Sequence, residues 1–576
     1  MIRLLIYMCL WLAATPAVGA AVELLPLAEL ETGAEGVCIT EMDGGERIEI
    51  PVTVLGTIGS GVPGGDIVLV RLEDPRFEKT GIIAGMSGSP VYVGGRLLGA
   101  LAYGWAFAKD PIGGVTPFER MLEMTSYEMA PAGVDRPAMV EILAAAAEGD
   151  LGSMVLDWLV PERSASPSPL PLVVSLSGAA TGEGWLAESW RRLGWVATAA
   201  SSTATDGASA RVEPGSMVAG VLVDGDVSIA AAGTVTEVRG DRLWAFGHPS
   251  LGAGAAAMPL ASARVLAVMP SLMNSFKFFT VGEPIGAVIA DRSPGLVAAL
   301  GATPSMIPVE VTINDQVYSY RAVRHPTLFP LLAAYLTQAS HGAFGRTFGD
   351  QSIELAMKVR YADGEAETRA AYAGGLAPAQ SGAFVAAVAA YLEGSTFDPP
   401  TMQGLEVHLK VHEELRAATI SEIVPDRRVV RPGEELRLRF RLQLHGGREE
   451  VRVLRLKVPP STPAGRIDVV GADGAAFTAY DLQMRPFRPA DFEGELELVK
   501  RLEPANSLVA FLERKDLGVA VAGGRLSAPP SRVHALRSAL GANLETTAYS
   551  VIAKAAEETP YVVTGAERIS LNVVTD

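Results

Sequence analysis

The amino-acid sequence predicts a mainly β protein with several domains. With 576 residues, the chain is long enough for about three or four domains with ample hydrophobic core. Its 60 glycines and 38 prolines indicate many turns. Short segments of alternating apolar and polar residues recur along the chain, as in half-buried strands. Hydrophobic residues make up 49% and charged residues 20%, so the composition is that of a globular protein rather than a disordered one.

Residues 1–20 have the pattern of a secretory signal peptide. Arg3 supplies the positive charge, residues 4–14 form the apolar core, and small residues precede the expected cleavage point. We therefore expect an exported protein, periplasmic or extracellular. No other apolar run approaches the ~18 uncharged residues of a membrane span, so no transmembrane segment is expected in the mature chain. Cleavage would remove Cys9 and leave Cys38, which predicts no internal disulfide.

The charge of the chain bears on its partners. The net charge is −17 and the isoelectric point is about 5.1. An acidic surface repels phosphate backbones, so nucleic acid is not expected as a partner.

After the signal peptide the sequence is predicted to divide into six segments. Strand-rich segments are expected at 21–125 and 205–375, because strand patterns and turn signals dominate there. An Ala-rich run and a Ser/Pro-rich stretch predict a helical and loop insertion between them. Alternation at 428–444 and 450–458 predicts an Ig-like β-sandwich. The remaining boundaries are 126–204 for the insertion, 376–420 for a helical and strand connector, 421–490 for the sandwich and 491–576 for a small α+β module, whose helices include 531–540.

Residues 81–90, Gly-Ile-Ile-Ala-Gly-Met-Ser-Gly-Ser-Pro, form a motif suited to a nucleophilic serine. An apolar run ends at Gly85, and Ser87 lies between that glycine and Gly88. Glycines allow a sharp turn, so that the hydroxyl stands clear and nearby amides point at one spot. A predicted hairpin over residues 91–103 would hold the serine in place.

A second motif, at residues 241–249, brings a histidine to the end of a predicted strand. A serine hydroxyl is a weak nucleophile near neutral pH and needs a base within hydrogen-bond reach. Among the seven histidines, His248 stands in a Gly-His-Pro corner, which makes it the candidate base. His408 and His412 have the spacing of a metal pair on a helix, but their segment alternates like a strand. The sequence therefore predicts no metal site and no cofactor.

Both motifs resemble chymotrypsin-like serine peptidases, and more closely the SpoIVB-type peptidases. The first likeness extends over residues 74–122, from Asp-Pro-Arg-Phe-Glu-Lys-Thr-Gly through Gly-Met-Ser-Gly-Ser-Pro to Phe-Glu-Arg-Met-Leu. The second includes Gly247-His248, Gly-Glu-Pro-Ile-Gly at 282–286 and Asp-Arg-Ser-Pro-Gly at 291–295. In that family the histidine half comes first, whereas here the serine half does.

The resemblance implies a circularly permuted chymotrypsin-like double β-barrel, with its serine-bearing half at 21–125 and its histidine-bearing half at 205–375. It implies an exported serine endopeptidase that cleaves a protein or peptide substrate, the chain itself being one candidate. A catalytic constellation is defined by geometry rather than by chain order, so permutation would preserve it.

The same resemblance assigns the roles of the site residues. Ser87 would be the nucleophile and His248 the general base. Asp74 occupies the family's matching aspartate position and is predicted to orient the imidazole. The amides of Gly85 and Ser87 are predicted to form the oxyanion hole.

Two departures and one alternative accompany this prediction. Met86 stands where chymotrypsin-like digestive enzymes carry the aspartate of their activation switch, and residues 212–232 are too short for the PDZ-like module expected in the family. Because fold alone does not prove activity, the alternative is a catalytically inactive envelope scaffold or protein-binding module that retains the peptidase fold.

Overall fold

The fold is seen in a computed structural model of the chain. It describes residues 22–59, 65–105, 107–124, 136–160, 169–176, 184–199, 212–252, 254–345, 349–484, 489–521, 524–527 and 545–575. Strands hold 51% of the residues and helices 21%, which confirms the predicted mainly β class. The predicted signal peptide and the helix expected at 531–540 lie outside the described residues. Among the helices of the described ranges, none is long and apolar enough to cross a membrane.

A closed barrel forms the first part of the described chain. Its six strands are β1 (Glu35–Met42), β2 (Glu46–Gly59), β3 (Asp66–Leu72), β4 (Ser89–Val93), β5 (Arg96–Tyr103) and β6 (Ile112–Pro117), accompanied by the short helices α1 (Phe77–Thr80) and α2 (Phe118–Glu123). Their order round the barrel is β1-β2-β3-β6-β5-β4. Alternate residues fill its interior: Ile50, Val52 and Val54 of β2 are buried, while the neighbouring Glu49 and Pro51 are exposed. This barrel lies within the predicted segment 21–125.

The segment predicted to be a helical and loop insertion also contributes strands. It contains α3 (Met139–Glu148), α4 (Leu151–Leu159), β7 (Leu172–Leu176), α5 (Trp185–Arg192) and β8 (Trp195–Ala199). The segment contains helices, as predicted, but β7 and β8 form a parallel pair. Trp190 of α5 stacks on Trp195 of β8 with ring centroids 5.1 Å apart. The part of residues 126–204 that is described is therefore a β-α-β unit preceded by helices, rather than an insertion of helices and loops alone.

A large second sheet follows. Its further strands are β9 (Met217–Gly225), β10 (Ile229–Arg239), β11 (Arg242–Ala245), β12 (Gly254–Met269), β13 (Phe276–Arg292), β14 (Gly295–Leu300), β15 (Met306–Ile313), β16 (Gln316–Val323), β17 (Ser352–Tyr361), β18 (Gly364–Ala373) and β19 (Met402–His412). With β7 and β8, thirteen strands of the described chain pair in the order β18-β17-β19-β15-β16-β9-β12-β13-β14-β11-β10-β7-β8. An additional pairing of β9 with β10 closes β9-β12-β13-β14-β11-β10 into a ring. The ring carries the Gly-His-Pro corner after β11.

The rest of this sheet forms a layer covered by two helices, α6 (Leu328–Phe344) and α7 (Ala377–Glu393). A connector is predicted at 376–420, but α7 and β19 belong to this layer, because β19 pairs in parallel with β15 and antiparallel with β17. Nearly every residue of α7 is buried. A helix that is apolar all round is stable only when it is covered on all sides, which explains its place inside the domain.

The C-terminal part is one sandwich of two sheets. Its elements are β20 (Ala417–Pro425), β21 (Val429–Val430), β22 (Glu435–Leu444), β23 (Glu449–Lys457), β24 (Gly465–Asp473), α8 (Gly474–Met484), α9 (Phe492–Lys500), β25 (Ser507–Val521), β26 (Gly524–Ser527), β27 (Glu545–Glu558), β28 (Val562–Thr564) and β29 (Ala566–Val573). One sheet has the order β23-β22-β20-β28, and the other β21-β29-β24-β25-β26, with β27 beside β25. The predicted boundary at 490 does not separate two units, because β28 and β29 return to pair with β20 and β24.

Buried hydrogen bonds join the barrel to the ring. Glu41 of β1 is buried, and its two carboxylate oxygens accept from the amides of Met217, at 3.1 Å, and Val265, at 2.8 Å. On another side, the hydroxyl of Thr116 donates to the carbonyl of Gly247 at 2.6 Å. Because Gly247 directly precedes His248, the barrel supports the histidine corner of the ring.

Candidate active site

The loop that carries Ser87 connects α1 to β4 of the barrel. Gly85 and Gly88 have φ angles of 97° and 99°, in the left-handed region that L-residues with a Cβ adopt at a cost. A Cβ at Gly88 would also overlap the carbonyl oxygen of Thr234 in β10. The glycines of the motif are therefore required by backbone conformation and by the close approach of the ring.

The histidine corner contains a strained backbone. Phe246 has a φ of 70° and Gly247 a φ of 69°, so two successive residues are left-handed before His248. A non-glycine residue in that region costs ~1–3 kcal/mol and persists only where its surroundings hold it. Here the Phe246 ring is fully buried against Gly233, and its amide donates to the carbonyl of Thr234 at 3.2 Å.

These two segments bring the serine and the histidine together. The Oγ atom of Ser87 lies 2.8 Å from Nε2 of His248, although the residues are 161 positions apart. Nδ1 of the same ring lies 2.9 Å from the carbonyl oxygen of Pro249. A carbonyl can only accept, so the ring proton belongs on Nδ1, and Nε2 is left to accept the serine proton. That tautomer is the one a general base needs.

The site is closed to solvent, which affects the histidine. Ser87 is 1% exposed and His248 2%. Burial lowers the pKa of His248 from 6.5 to about 4, while the hydrogen bond to Pro249 opposes this effect. The imidazole is therefore neutral near pH 7 and able to accept a proton.

Asp74 does not meet the histidine. Its carboxylate accepts from the backbone amide of Arg76 at 2.9 Å and from the Arg76 guanidinium at 2.6 to 3.1 Å. The hydrogen bonds to Arg76 lower the pKa of Asp74. The predicted orienting role therefore lacks its contact: the carboxylate is held by the turn that it begins, and Nδ1 of His248 faces the Pro249 carbonyl instead.

A different carboxylate supports the histidine loop. Asp291, at the end of β13, is buried and accepts from three successive amides, those of Ser250 at 2.8 Å, Leu251 at 2.7 Å and Gly252 at 3.1 Å. These bonds fix the chain just after the Gly-His-Pro corner. The sequence marks Asp291 only as the first residue of the Asp-Arg-Ser-Pro-Gly stretch, without a role.

The amides of Gly85 and Ser87 differ from their neighbours in hydrogen bonding. In the same loop the amides of Ala84, Met86, Gly88 and Ser89 all donate to backbone carbonyls. Within the described part of the chain, the amides of Gly85 and Ser87 have no hydrogen-bond partner. A buried amide without a partner is uncommon, so two of them flanking Met86 mark a place where an acceptor from a substrate could bind.

Two threonines of β10 donate hydrogen bonds to backbone carbonyls of this loop. The hydroxyl of Thr234 donates to Gly85 O at 2.9 Å and its amide to Ser87 O at 2.7 Å, while the hydroxyl of Thr236 donates to Gly88 O at 2.8 Å. Both threonines are buried. Sequence reasoning did not identify them, because two threonines two positions apart in a strand are a common β pattern.

The described residues contain no group of three or more histidine, cysteine, aspartate or glutamate side chains placed to hold a metal ion. Of the two histidines with the spacing of a metal pair, His412 on β19 pairs with Glu354 of β17 at 2.9 Å.

Comparisons with protein-family models, with curated proteins and with solved structures find no match to this chain, so the interpretation of the site depends on its own geometry.

Proposed function

We propose that the protein is an exported serine endopeptidase of the SpoIVB type that acts on a protein or peptide, its own chain being one candidate. The observation that carries the proposal is the 2.8 Å contact between Ser87 Oγ and His248 Nε2. The two residues come from separate β units, the closed barrel and the ring, and the contact of Nδ1 with the Pro249 carbonyl leaves Nε2 to accept the serine proton. The unpaired amides of Gly85 and Ser87 beside the pair give independent support.

The proposed chemistry gives each of these groups a role. Ser87 Oγ attacks the peptide carbonyl while Nε2 of His248 takes its proton. The amides of Gly85 and Ser87 donate to the oxygen that becomes negative, an interaction that is stronger in the transition state than in the ground state. His248 then returns the proton to the leaving amine, which yields the acyl-enzyme. In the second half of the reaction His248 takes a proton from water as the water attacks the acyl carbonyl, and it returns that proton to Ser87 Oγ when the acid product leaves. The Pro249 carbonyl holds Nδ1–H and thereby the orientation of the ring.

The proposal includes a permuted chymotrypsin-like double barrel, followed in the chain by an Ig-like sandwich. Two six-stranded closed arrangements, one giving the serine and the other the histidine, support the first. The barrel with Ser87 precedes the ring with His248, which is the reverse of the family order.

The burial of the pair favours a second candidate, a non-catalytic scaffold that keeps the peptidase fold. With Ser87 and His248 almost fully covered, a peptide reaches them only after the surroundings move. No carboxylate contacts Nδ1 of His248 within the described chain, so the ring lacks the charge that stabilises an imidazolium.

Covalent labelling distinguishes the two candidates. We expect a fluorophosphonate probe to modify Ser87 in the wild type, with the modified peptide identified by mass spectrometry. Ser87→Ala and His248→Ala should abolish the label, whereas Ser421→Ala in the distant sandwich should retain it. Because the site is closed, we expect slow labelling that accelerates under mild destabilisation, such as low urea. Absence of any label at Ser87 under both conditions would support the scaffold.

A further inference from the structure

Lys277 of β13 is a buried cation next to the serine loop. Its side chain is 0% exposed, and its Nζ donates to Thr40 Oγ1 at 2.9 Å. Within the described chain no carboxylate lies within ion-pair distance of Nζ; buried Glu41, whose oxygens accept from backbone amides, acts on the lysine only from beyond that distance. Burying a charge without a direct ion pair is costly, and an apolar residue would fill the same space. Folding alone therefore gives no reason for a lysine here.

The backbone of Lys277 anchors the first oxyanion peptide. Its amide donates to the carbonyl of Ala84 at 3.1 Å, and the amide of Ala84 donates to Ser275 at 2.8 Å. The Ala84 carbonyl belongs to the same planar peptide unit as the amide of Gly85. In a trans peptide the two groups point in opposite directions, so fixing the carbonyl fixes the direction of the Gly85 N–H.

The side chain of Lys277 reaches the second oxyanion peptide through two hydroxyls. Thr40 Oγ1 lies 2.9 Å from Ser89 Oγ, which lies 2.7 Å from the carbonyl oxygen of Met86. Each hydroxyl has a single proton: when Ser89 donates its proton to the Met86 carbonyl, the Thr40 hydroxyl, which accepts from Lys277, is left to donate to Ser89 Oγ, and this arrangement connects the ammonium to Met86. The Met86 carbonyl shares its peptide unit with the amide of Ser87. A chain of hydrogen bonds that begins on a cation polarises each member, including this peptide.

We infer that Lys277 is the positioning residue of the oxyanion site: its backbone holds the Gly85 amide, and its ammonium holds and polarises the Ser87 amide through Thr40 and Ser89. This role depends on the proposed peptidase function. Lys277 acts through the loop and does not touch the substrate. Its aliphatic part also limits the space beside the loop, since a Cβ at Gly85 would lie 3.1 Å from Lys277 Cδ.

The protonation of Lys277 supplies a readout that a purely structural role would not give. Burial lowers the pKa of this lysine from 10.5 to about 8, and the titratable groups that act on it are Glu41 and Cys38, both on β1. Cys38 is itself buried with its pKa raised to about 12, so it stays a neutral thiol in this range. Raising the pH through about 8 therefore removes the charge at the start of the hydrogen-bond chain.

The test measures the rate constant of fluorophosphonate labelling at Ser87 between pH 6 and 10. We expect the wild type to lose rate as the pH rises through about 8. Lys277→Met should react at least ~10-fold more slowly at pH 7, within the ~10²–10³-fold cost of losing a whole oxyanion donor, and should show no such alkaline decline. Ser421→Ala in the distant sandwich should react like the wild type.

A second variant guards against misfolding. Ser89→Ala cuts the chain of hydrogen bonds while leaving Lys277 bonded to Thr40, and it should also slow labelling ~10-fold or more. If the wild type is labelled at Ser87 and both Lys277→Met and Ser89→Ala react at the wild-type rate, the role of Lys277 is overturned while the peptidase proposal stands. Absence of the label in the wild type would overturn the peptidase proposal and this inference together.

Discussion

The acid limit of the labelling reaction tests the environment of His248 directly. Burial lowers the pKa of this imidazole from 6.5 to about 4. At pH 5.5 a histidine with pKa 6.5 is neutral in about 9% of molecules, whereas one with pKa 4 is neutral in about 97%. The base form therefore persists well below neutral pH. We expect the rate of fluorophosphonate labelling at Ser87 to stay nearly constant from pH 7 to 5.5 and to fall by half near pH 4.

The same lowered pKa predicts a change in stability, whose sign follows from linkage. The unfolded chain binds a proton at His248 near pH 6.5, and the folded chain only near pH 4, so acid favours the unfolded state. The difference corresponds to about 3 kcal/mol, present above pH 6.5 and lost progressively as the pH falls towards 4. In urea denaturation, His248→Gln should therefore lose less stability than the wild type over this range.

His325 provides a matched control. It is also buried with its pKa lowered to about 4, but it lies before α6, where its Nδ1 accepts from the amides of Thr327 and Leu328 at 3.2 Å. His325→Asn keeps an acceptor for these amides and should leave the acid limit of labelling unchanged. A labelling rate that falls by half near pH 6.5, in the wild type or in His325→Asn, would refute the reasoning about the buried imidazole of His248.

Two further predictions concern the loops that hold the pair. Gly88→Ala would place a Cβ on a residue with a left-handed φ, where it overlaps the Thr234 carbonyl. We therefore expect the free energy of unfolding in urea to fall by ~2–4 kcal/mol and the Ser87 label to be lost. A stable, fully labelled Gly88→Ala variant would contradict this packing. Asp291→Asn weakens the anchor of three amides, so it should lower the free energy of unfolding by ~1–3 kcal/mol and slow labelling at Ser87. Asp74→Asn affects only the Arg76 turn and should change the labelling rate less than twofold. If Asp74→Asn slowed labelling more than Asp291→Asn, Asp74 would be restored as the orienting acid.

The sequence predicted those parts of the site that are encoded locally. The glycines around Ser87 and before His248 signal backbone conformations that side chains resist, and such signals lie within a few residues of their effect. The mainly β class and several helices were predicted for the same reason, from periodicity over short windows.

The partners across the fold could not be predicted in this way. The carboxylate of Asp74 was expected to reach the histidine, but Arg76, two residues away, satisfies it within its own turn. Asp291 and Thr234 act on loops that only the pairing of distant strands brings to them, and local propensity contains no information about that pairing. The same cause placed the expected boundary at 490 inside the C-terminal sandwich, since β28 and β29 return to strands far earlier in the chain.

The buried cluster also distinguishes an enzyme from a retained scaffold, through stability. Thr40→Val leaves the Lys277 ammonium buried without its hydrogen bond, so we expect a loss of ~1–3 kcal/mol. Lys277→Met combined with Thr40→Val removes both groups, while Ser89 still donates to the Met86 carbonyl. Replacing a buried charge by an apolar side chain of similar size is often neutral or stabilising by ~1–4 kcal/mol.

We therefore expect the double variant to be at least as stable as the wild type in urea denaturation and yet slow to label at Ser87. A double variant that loses as much stability as Thr40→Val alone would show that the cluster serves the fold. The left-handed Phe246, the unpaired amides of Gly85 and Ser87 and the buried cation each cost stability, and all lie around one Ser–His contact. On the proposed function these costs have a use, because strained and unpaired groups cluster at active sites, where the surrounding structure holds them in place.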